Sequence, residues 1–185
     1  MPAPEKRKDR LQVPIMLAFR DAFEKRDADA EEDIRRDGER VITARGSLHR
    51  RGVGEKRLRE DLDADLGNLL DTINLESAVE LNDLPRVRTS VLNYGVEDLT
   101  HISMGTEAAG EIGEGLRLAL ISFEPRLNPE TLLVEKQVED DMVGQRVKFR
   151  VRADLISKPF DIPVEFVAEL DGVAGKVIVP RLTGA

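Results

Sequence analysis

The hydrophobic periodicity of this chain changes from that of a helix to that of a strand near Pro125. Upstream, apolar residues recur at steps of three and four, as on one helix face, at Ile112, Leu116, Leu120 and Phe123, with Leu118 and Ile121 widening the stripe. Downstream, apolar and polar residues alternate at Val147, Phe149, Val151, Ala153, Leu155 and at Ile162, Val164, Phe166, Ala168, Leu170. This order predicts an α+β fold, with N-terminal helices packed on one face of a C-terminal, mostly antiparallel β-sheet.

The tripeptide Glu124-Pro125-Arg126 follows the helix predicted within the stretch of residues 107–127. We expect the helix to stop at Phe123, because the proline ring disfavours a helical residue before it and supplies no N–H. An extended exit would then project Glu124 and Arg126 to the same side. Two interpretations remain open. The two charges form a surface ion pair worth about 0–1 kcal/mol, or they are presented to a partner.

Two further helices and two further strands are indicated by shorter patterns. A helical stripe begins near residue 55 and comprises Leu58, Leu62, Leu66, Leu69 and Ile73, with Leu70 broadening it. Ile15, Phe19 and Phe23, at spacing four, predict a short helix within residues 14–27 whose apolar face needs a partner. A first strand is indicated by Leu132, Val134 and Val138, and a last one by residues 176–179, after the Asp171-Gly172 turn.

The two alternating segments, residues 146–155 and 162–170, predict a hairpin with a definite register. Both apolar sets lie on one face only if the numbers of opposed residues sum to an odd number, and the loop length favours 317. In this register the partners are Phe149 with Ala168, Val151 with Phe166, Arg152 with Glu165, and Lys148 with Glu169. The opposite charges across the ladder support the choice.

Composition limits the classes of function. A chain of 185 residues accommodates one main domain and a flexible appendage. Its net charge of -8 argues against general attraction to nucleic acid. The absence of cysteine excludes thiol chemistry, and His49 and His101, the two histidines, are too few for a histidine-rich metal site. No stretch is long and apolar enough to span a bilayer, and the start of the chain is not typical of a signal peptide.

The N-terminal part of the chain is rich in charge. We expect residues 1–40 to form a charged, partly disordered extension, with disorder at residues 1–10, and residues 41–185 to form the main domain. Residues 27–38 suggest a solvated linker or an exposed helix. The basic run at residues 45–59 is consistent with docking onto an acidic protein surface, or with a solvated loop that leads into a helix.

Motifs for catalysis are weak. The glycines at Gly105, Gly110, Gly113 and Gly115 fit neither a phosphate-binding loop nor a dinucleotide fingerprint. Neither histidine lies beside a nucleophile signature. Glu124 with Asp98 is one of many carboxylate pairs available among 36 acidic residues, so the pair carries little weight. We therefore expect no catalytic residue, no metal and no cofactor.

Three stretches, at residues 61–72, 90–99 and 123–127, together resemble one family. The second contains Asn93-Tyr94-Gly95 and the third Glu124-Pro125-Arg126, and their order and spacing are similar to those of the phage baseplate wedge and type VI secretion baseplate family, the TssE group. The resemblance covers residues 41–181. One difference is Asp71-Thr72-Ile73-Asn74, where the family usually has an Asn-Thr-Arg type of ending.

The resemblance implies a structural component rather than an enzyme. Members join the baseplate wedge (TssF, TssG and TssK) and seat the first ring of the contractile sheath (TssB and TssC), in the cytoplasm at the inner face of the envelope. It implies no nucleic acid, no membrane insertion and no cofactor. The expected partner-binding residues are Glu124, Pro125, Arg126 and, at the sheet edge, Val177, Ile178 and Val179; Asn93, Tyr94, Gly95 and Asp98 are the structural motif. An edge strand near Val134 is the alternative seat.

Two alternatives accompany this hypothesis. Phage relatives have been labelled lysozyme-like, so a peptidoglycan hydrolase is the rival function, although a cytoplasmic chain would not meet peptidoglycan. An anti-adaptor of a stress regulator that shares the fold is the third class, and the wedge motif argues against it.

Overall fold

The computed structural model describes residues 11–12, 14–24, 26, 32–36, 39–43, 52–98, 106–137, 146–171 and 176–178. Sequence predictions for residues 1–10, for Val138 and Val179, for both histidines and for most of the basic run lie outside these ranges. The chain divides into two compact units, Met1–Asp61 with Ser157–Phe160, and Leu62–Ile156 with Asp161–Ala185. The boundary expected at residue 40 stays a prediction.

The first unit contains one short helix and a β-hairpin. Helix α1 (Met16–Glu24) confirms the helix predicted there. Strands β1 (Glu32–Arg36) and β2 (Glu39–Thr43) pair antiparallel, with Ile34 opposite Val41. The prediction of a linker or an exposed helix over residues 27–38 was therefore wrong. Strand β1 forms despite its charged composition, because its backbone pairs with β2, which is rich in β-branched residues.

Helix α2 (Glu55–Leu70) begins in the first unit and continues into the second. The predicted apolar stripe is buried at Leu58, Leu62, Leu66, Leu69 and Leu70. Ile73 is exposed, because α2 has already ended at Leu70. Ile73 instead forms a parallel bridge with Val96. The stripe was therefore correct within the helix and wrong at its last member.

The second unit also contains α3 (Pro85–Arg88), α4 (Thr106–Phe123) and a four-stranded antiparallel sheet. The order in space is β3 (Leu133–Gln137), β4 (Arg146–Leu155), β5 (Ile162–Asp171) and β6 (Lys176–Ile178). Gly113 of α4 lies against Phe149 of β4, whose ring would be 3.1 Å from a Cβ added there. Helix α4 therefore covers the apolar face of the sheet, and the predicted α+β class is confirmed.

The hairpin of β4 and β5 has the predicted register. Phe149 faces Ala168 and Val151 faces Phe166, and all four side chains are buried. On the outer face Arg152 is opposite Glu165, as expected, but its ion pair is with Glu135 of β3. Glu165 pairs diagonally with Arg150, at 3.4 Å.

Helix α4 ends at Phe123, as Pro125 predicted. Ile112, Leu116 and Leu120 are buried, whereas Leu118 is half exposed. Leu118 does not widen the stripe, because each residue turns about 100° around the helix axis and places it away from Leu116 and Leu120. Within the described ranges, no helix has both the length and the apolar character needed to cross a membrane.

Candidate functional site

The Glu124-Pro125-Arg126 segment forms a tight turn at the end of α4. The Glu124 N–H donates to the Leu120 carbonyl at 2.9 Å, and the Leu127 N–H donates to the Glu124 carbonyl at 3.1 Å. Pro125 occupies the second position of this turn, where its fixed φ is favourable. The extended exit expected from the sequence was wrong, because this hydrogen bond reverses the chain.

Backbone bonds fix the turn to the end of β4. Leu127 is buried and forms an antiparallel bridge with Leu155. The Ile156 N–H donates to the Arg126 carbonyl at 2.7 Å, and the Asn128 N–H donates to the Asp154 carbonyl at 2.8 Å. The turn is therefore a fixed part of the second unit.

Glu124 is buried, with 4% of its surface exposed. Its two carboxylate oxygens accept hydrogen bonds from Arg126, Oε1 from Nε at 2.7 Å and Oε2 from Nη2 at 2.6 Å. The backbone N–H of Arg126 also reaches Oε1, at 3.2 Å. This two-pronged pairing of a guanidinium with a carboxylate is the strong form of an ion pair. The interpretation of these two charges as an exposed surface pair was therefore wrong.

Asp65 of α2 is the third member of this cluster, and sequence analysis missed it. Its Oδ2 accepts a hydrogen bond from Arg126 Nη2 at 2.6 Å, across 61 residues of chain. A signal was present, because Asp61 and Asp65 lie one helical turn apart beside the buried Leu62 and Leu66. Acidic residues next to a core stripe are seldom buried unless they are paired.

Tyr94 borders the same cluster. Its ring meets that of Phe123 edge to face, with centroids 5.4 Å apart and planes at 67°. Burial chiefly, and then the charges of Asp65 and Glu124, raise the pKa of the Tyr94 hydroxyl. The Tyr94 ring therefore packs against the last residue of α4.

Asn93 holds together the loop that carries Tyr94. It is buried, and its Oδ1 accepts a hydrogen bond from the Glu76 N–H at 2.9 Å. Its Nδ2 donates to the Arg88 carbonyl at 3.0 Å. One amide side chain therefore connects the 3-10 turn Val91–Asn93 with the 3-10 turn Leu75–Ser77 and with α3.

Gly95 allows a close approach of two backbone segments. Its φ is 127°, and a Cβ added there would lie 2.3 Å from the Thr72 carbonyl oxygen. That oxygen accepts a hydrogen bond from the Val96 N–H at 2.9 Å, and the Val96 carbonyl accepts one from the Asn74 N–H at 2.9 Å. Only glycine fits this position without moving the backbone.

Asp98, the last residue of the expected structural motif, attaches its backbone to the same loop. Its N–H donates to the Ser77 hydroxyl at 2.8 Å, and Ser77 in turn bonds to the Asn74 side chain. Asn93 thus stabilises the loop through its side chain, Gly95 allows the close approach of the backbone, and Asp98 contributes its backbone N–H. Within the ranges listed above, no cluster of three or more His, Asp or Glu side chains could hold a metal ion.

The region that contains these features matches a known family model. Residues 56–159, more than half of the chain, match the family described as baseplate wedge protein gp25. The chain belongs to this baseplate wedge family. Searches of curated proteins and of solved structures found no match.

Family membership supports a structural role in a baseplate, with contacts to other baseplate components. The matched range includes Asp65, the Tyr94 loop, the Glu124–Arg126 turn and strands β3 and β4. It leaves out α1, the β1–β2 hairpin and strands β5 and β6.

The strands expected as docking edges are the outer strands of the sheet. Among the strands that the structure describes, β3 pairs with β4 alone, and β6 pairs with β5 at Glu169, Leu170 and Asp171. Val177 is buried, and the backbone of Ile178 lies opposite that of Glu169. Either outer strand fits the geometry needed to accept another strand, and docking itself stays a prediction.

Proposed function

We propose that the chain is a structural component of a type VI secretion baseplate, similar to TssE. In this proposal it joins the wedge formed by TssF, TssG and TssK and seats the first sheath ring of TssB and TssC. It works in the cytoplasm, at the inner face of the envelope, and needs no cofactor. The family match over residues 56–159 supports the proposal.

The observation that carries the wedge contact is the fixed turn at the end of α4. Arg126 is held by two carboxylates, and Pro125 between the paired charges is exposed. A partner that binds this turn therefore meets a surface whose geometry is already set. Binding then loses little conformational entropy, which favours affinity. Glu124 and Arg126 act in this proposal by shaping the contact surface.

The test uses Pro125, because changing the buried charges would also unfold the turn. Pro125→Asp places a carboxylate on the proposed contact while leaving the ion pairs of Arg126 in place. We expect its affinity for the purified wedge to fall at least about tenfold, or about 1.4 kcal/mol, whereas the loss of the fixed φ of proline should lower the free energy of unfolding by no more than about 1 kcal/mol. Pro129→Asp is the matched control, since Pro129 is also an exposed proline of this loop. Wild-type affinity in Pro125→Asp would contradict the wedge contact.

The sheath seat is proposed at an outer strand of the sheet, β6 through Val177, Ile178 and Val179, or else β3. Strand addition uses backbone hydrogen bonds and so tolerates variation of exposed side chains. The outer position of both strands in the sheet supports this mode.

A peptidoglycan hydrolase is not favoured by the geometry. A general acid must present its proton to the substrate, whereas both oxygens of Glu124 accept hydrogen bonds from Arg126. We expect no clearing of a peptidoglycan suspension by the purified chain. Clearing that is lost in Glu124→Gln would instead support the hydrolase.

A further inference from the structure

The segment that joins α2 to the Tyr94 loop exposes several large apolar side chains. Val91 is 81% exposed and Leu92 68%, and both belong to the 3-10 turn Val91–Asn93. With four exposed apolar residues that precede them in this segment, they form what we call the loop surface: Ile73, Leu75, Val79, Leu84, Val91 and Leu92. Exposed apolar residues that are grouped, unlike those scattered singly, mark interaction sites.

Side-chain bonds hold the parts of this segment together. The buried Asn93 accepts a hydrogen bond from the Glu76 N–H in the turn Leu75–Ser77. It also donates one to the Arg88 carbonyl at the end of α3. Arg88 Nη2 in turn pairs with Glu76 Oε1 at 2.7 Å. The two turns and α3 therefore form one ordered structure that presents the loop surface in a fixed arrangement.

The same segment is acidic. Residues 71–98, all of which the structure describes, contain six acidic and two basic side chains. Arg88, one of the two basic residues, is paired with Glu76. Four carboxylate side chains of the segment are exposed: Asp71, Glu80, Asp83 and Glu97. The loop surface therefore lies among an excess of negative charge carried by residues of known position.

This charge selects the kind of partner. An anionic membrane and a nucleic acid would both bring phosphates towards the carboxylates. A second copy of the chain would bring a net charge of -8 and the same acidic segment. A cationic polypeptide with an apolar stripe is instead attracted to the carboxylates and can cover the apolar side chains.

The backbone of the segment favours docking through side chains. The Tyr94 N–H donates to the Val91 carbonyl at 3.3 Å, and the Ala78 N–H donates to the Leu75 carbonyl at 3.0 Å. These turns therefore do not offer a strand edge to which a partner strand could be added. A helix satisfies its own backbone hydrogen bonds, so it can bind through side chains alone.

We propose that the loop surface binds a basic amphipathic helix of another protein. The apolar stripe of that helix covers Val91 and Leu92, and its lysine or arginine side chains lie near the exposed carboxylates. The contact uses neither the Glu124–Arg126 turn nor an outer strand of the sheet. It does not rest on the proposed wedge function.

The experiment measures binding of a dye-labelled model peptide to the full-length chain by fluorescence anisotropy. The peptide LKKLLKLLKKLLKL carries leucines at helical spacing and lysines on the opposite face. We expect saturable binding that weakens as salt is raised. The peptide LEELLELLEELLEL reverses the charge, and LKLKLKLKLKLKLL keeps the composition of the first peptide but alternates as a strand does. Each should bind at least about tenfold more weakly than the first peptide.

Variants of the chain test where the peptide binds. Val91→Ser/Leu92→Ser removes the most exposed part of the loop surface and should weaken binding at least about tenfold. Phe19→Ser/Phe23→Ser is the matched control, since it removes two exposed apolar side chains of α1, and it should bind as the wild type does. Circular dichroism checks that the variants are folded, and single changes at Leu92 and Phe23 replace any that are not.

A second pair of variants tests the charge. Glu80→Gln/Asp83→Asn removes two exposed carboxylates of the segment and should weaken binding about threefold or more. Glu111→Gln/Glu130→Gln removes the same charge from exposed positions elsewhere in the second unit and should have a smaller effect.

The other occupants are tested without the peptide. Sedimentation of the chain alone detects a second copy, and flotation with vesicles of phosphatidylcholine and phosphatidylglycerol detects a membrane. Association in either assay that is lost in Val91→Ser/Leu92→Ser would overturn the proposal. So would an absence of saturable peptide binding, equal binding of the three peptides, or wild-type binding by the Val91→Ser/Leu92→Ser variant.

Discussion

At the scale of single residues, Glu124 and Arg126 differ most from what their sequence context indicates. A charged pair beside a proline at a helix end is usually exposed and nearly neutral in energy. Here Glu124 is buried and Asp65 approaches from another helix, so the pair belongs to the core of the second unit. The Glu124–Arg126 turn therefore contributes to the folding of the unit.

Arg126→Ala is expected to destabilise the chain. The change leaves two carboxylates facing each other without their guanidinium, one of them buried. Loss of one partner from such a buried pair costs about 3–5 kcal/mol, and we expect about 3 kcal/mol because Asp65 keeps partial access to water. Urea unfolding measures the change. Arg117→Ala is the matched control, since Arg117 pairs with Glu114 on the surface of α4; equal small effects of both changes would contradict the buried cluster.

Gly95→Ala is expected to be among the most destabilising single changes. The added Cβ would meet the Thr72 carbonyl oxygen at 2.3 Å, and the φ of 127° is strained for alanine. We expect a loss of about 2–3 kcal/mol or more in the free energy of unfolding. Gly67→Ala is the control, because nothing lies within 4 Å of its added Cβ in α2. This control should stabilise by about 0.5–1 kcal/mol, and thermal unfolding of both variants distinguishes them.

At the scale of elements, local sequence patterns were sufficient to predict the strands that have one face buried in the core and the other exposed to solvent. Alternation in β4 and β5 and the matching charges of Arg152 and Glu165 predicted the register, because a slip by one residue would expose the apolar set. The β1–β2 hairpin was missed because β1, with one apolar residue in five, shows no alternation. Asp37 and Gly38, the pair between its strands, are typical of a hairpin turn and were the available signal.

Ile178→Pro is expected to block sheath assembly. Proline removes a backbone N–H from β6 and prevents the strand from continuing a ladder, whereas Ile178→Val keeps the backbone and should be mild. Assembly of sheath on purified baseplates measures the effect, with circular dichroism to show that α2 and α4 are retained. Normal sheath on Ile178→Pro would argue against β6 as the seat and move the test to Lys136→Pro in β3.

At the scale of the whole molecule, stability should fall in alkaline solution because of Tyr94. In the folded chain the pKa of Tyr94 is raised, mainly by burial and then by the charges of Asp65 and Glu124. A tyrosine in the unfolded chain ionises at about pH 10. The folded state therefore keeps a proton that the unfolded state releases, and the free energy of unfolding decreases as pH rises from about 10. Below that pH the contribution is fully present.

Tyr94 is the sole tyrosine and the chain has no tryptophan, so phenolate absorbance reports this one group. We expect a titration midpoint above that of free tyrosine. Asp65→Asn should lower this midpoint only in part, because the burial of Tyr94 remains. Tyr94→Phe should remove this contribution to the alkaline loss of stability. A midpoint at or below the value of free tyrosine would contradict the buried position beside the two carboxylates.

The fold class could be predicted from the sequence, but the residues that form the site could be predicted only in part. The change of hydrophobic period and Pro125 located the helix end and the sheet, because both act over a few residues. The contact of Arg126 with Asp65 spans 61 residues and depends on how α2 and α4 meet, which no local pattern specifies. The burial of Glu124 has the same origin.

The backbone bonds that join Thr72 and Asn74 to Val96 have a consequence for how such a chain can change its length. They tie together the ends of a loop of about twenty residues, and the entropy of closing a loop grows only with the logarithm of its length. An insertion at the exposed Asn82-Asp83 turn would therefore leave both ends in place at small thermodynamic expense. The segment between α2 and Tyr94 is thus where new residues could be added while the paired charges beside it stay unchanged.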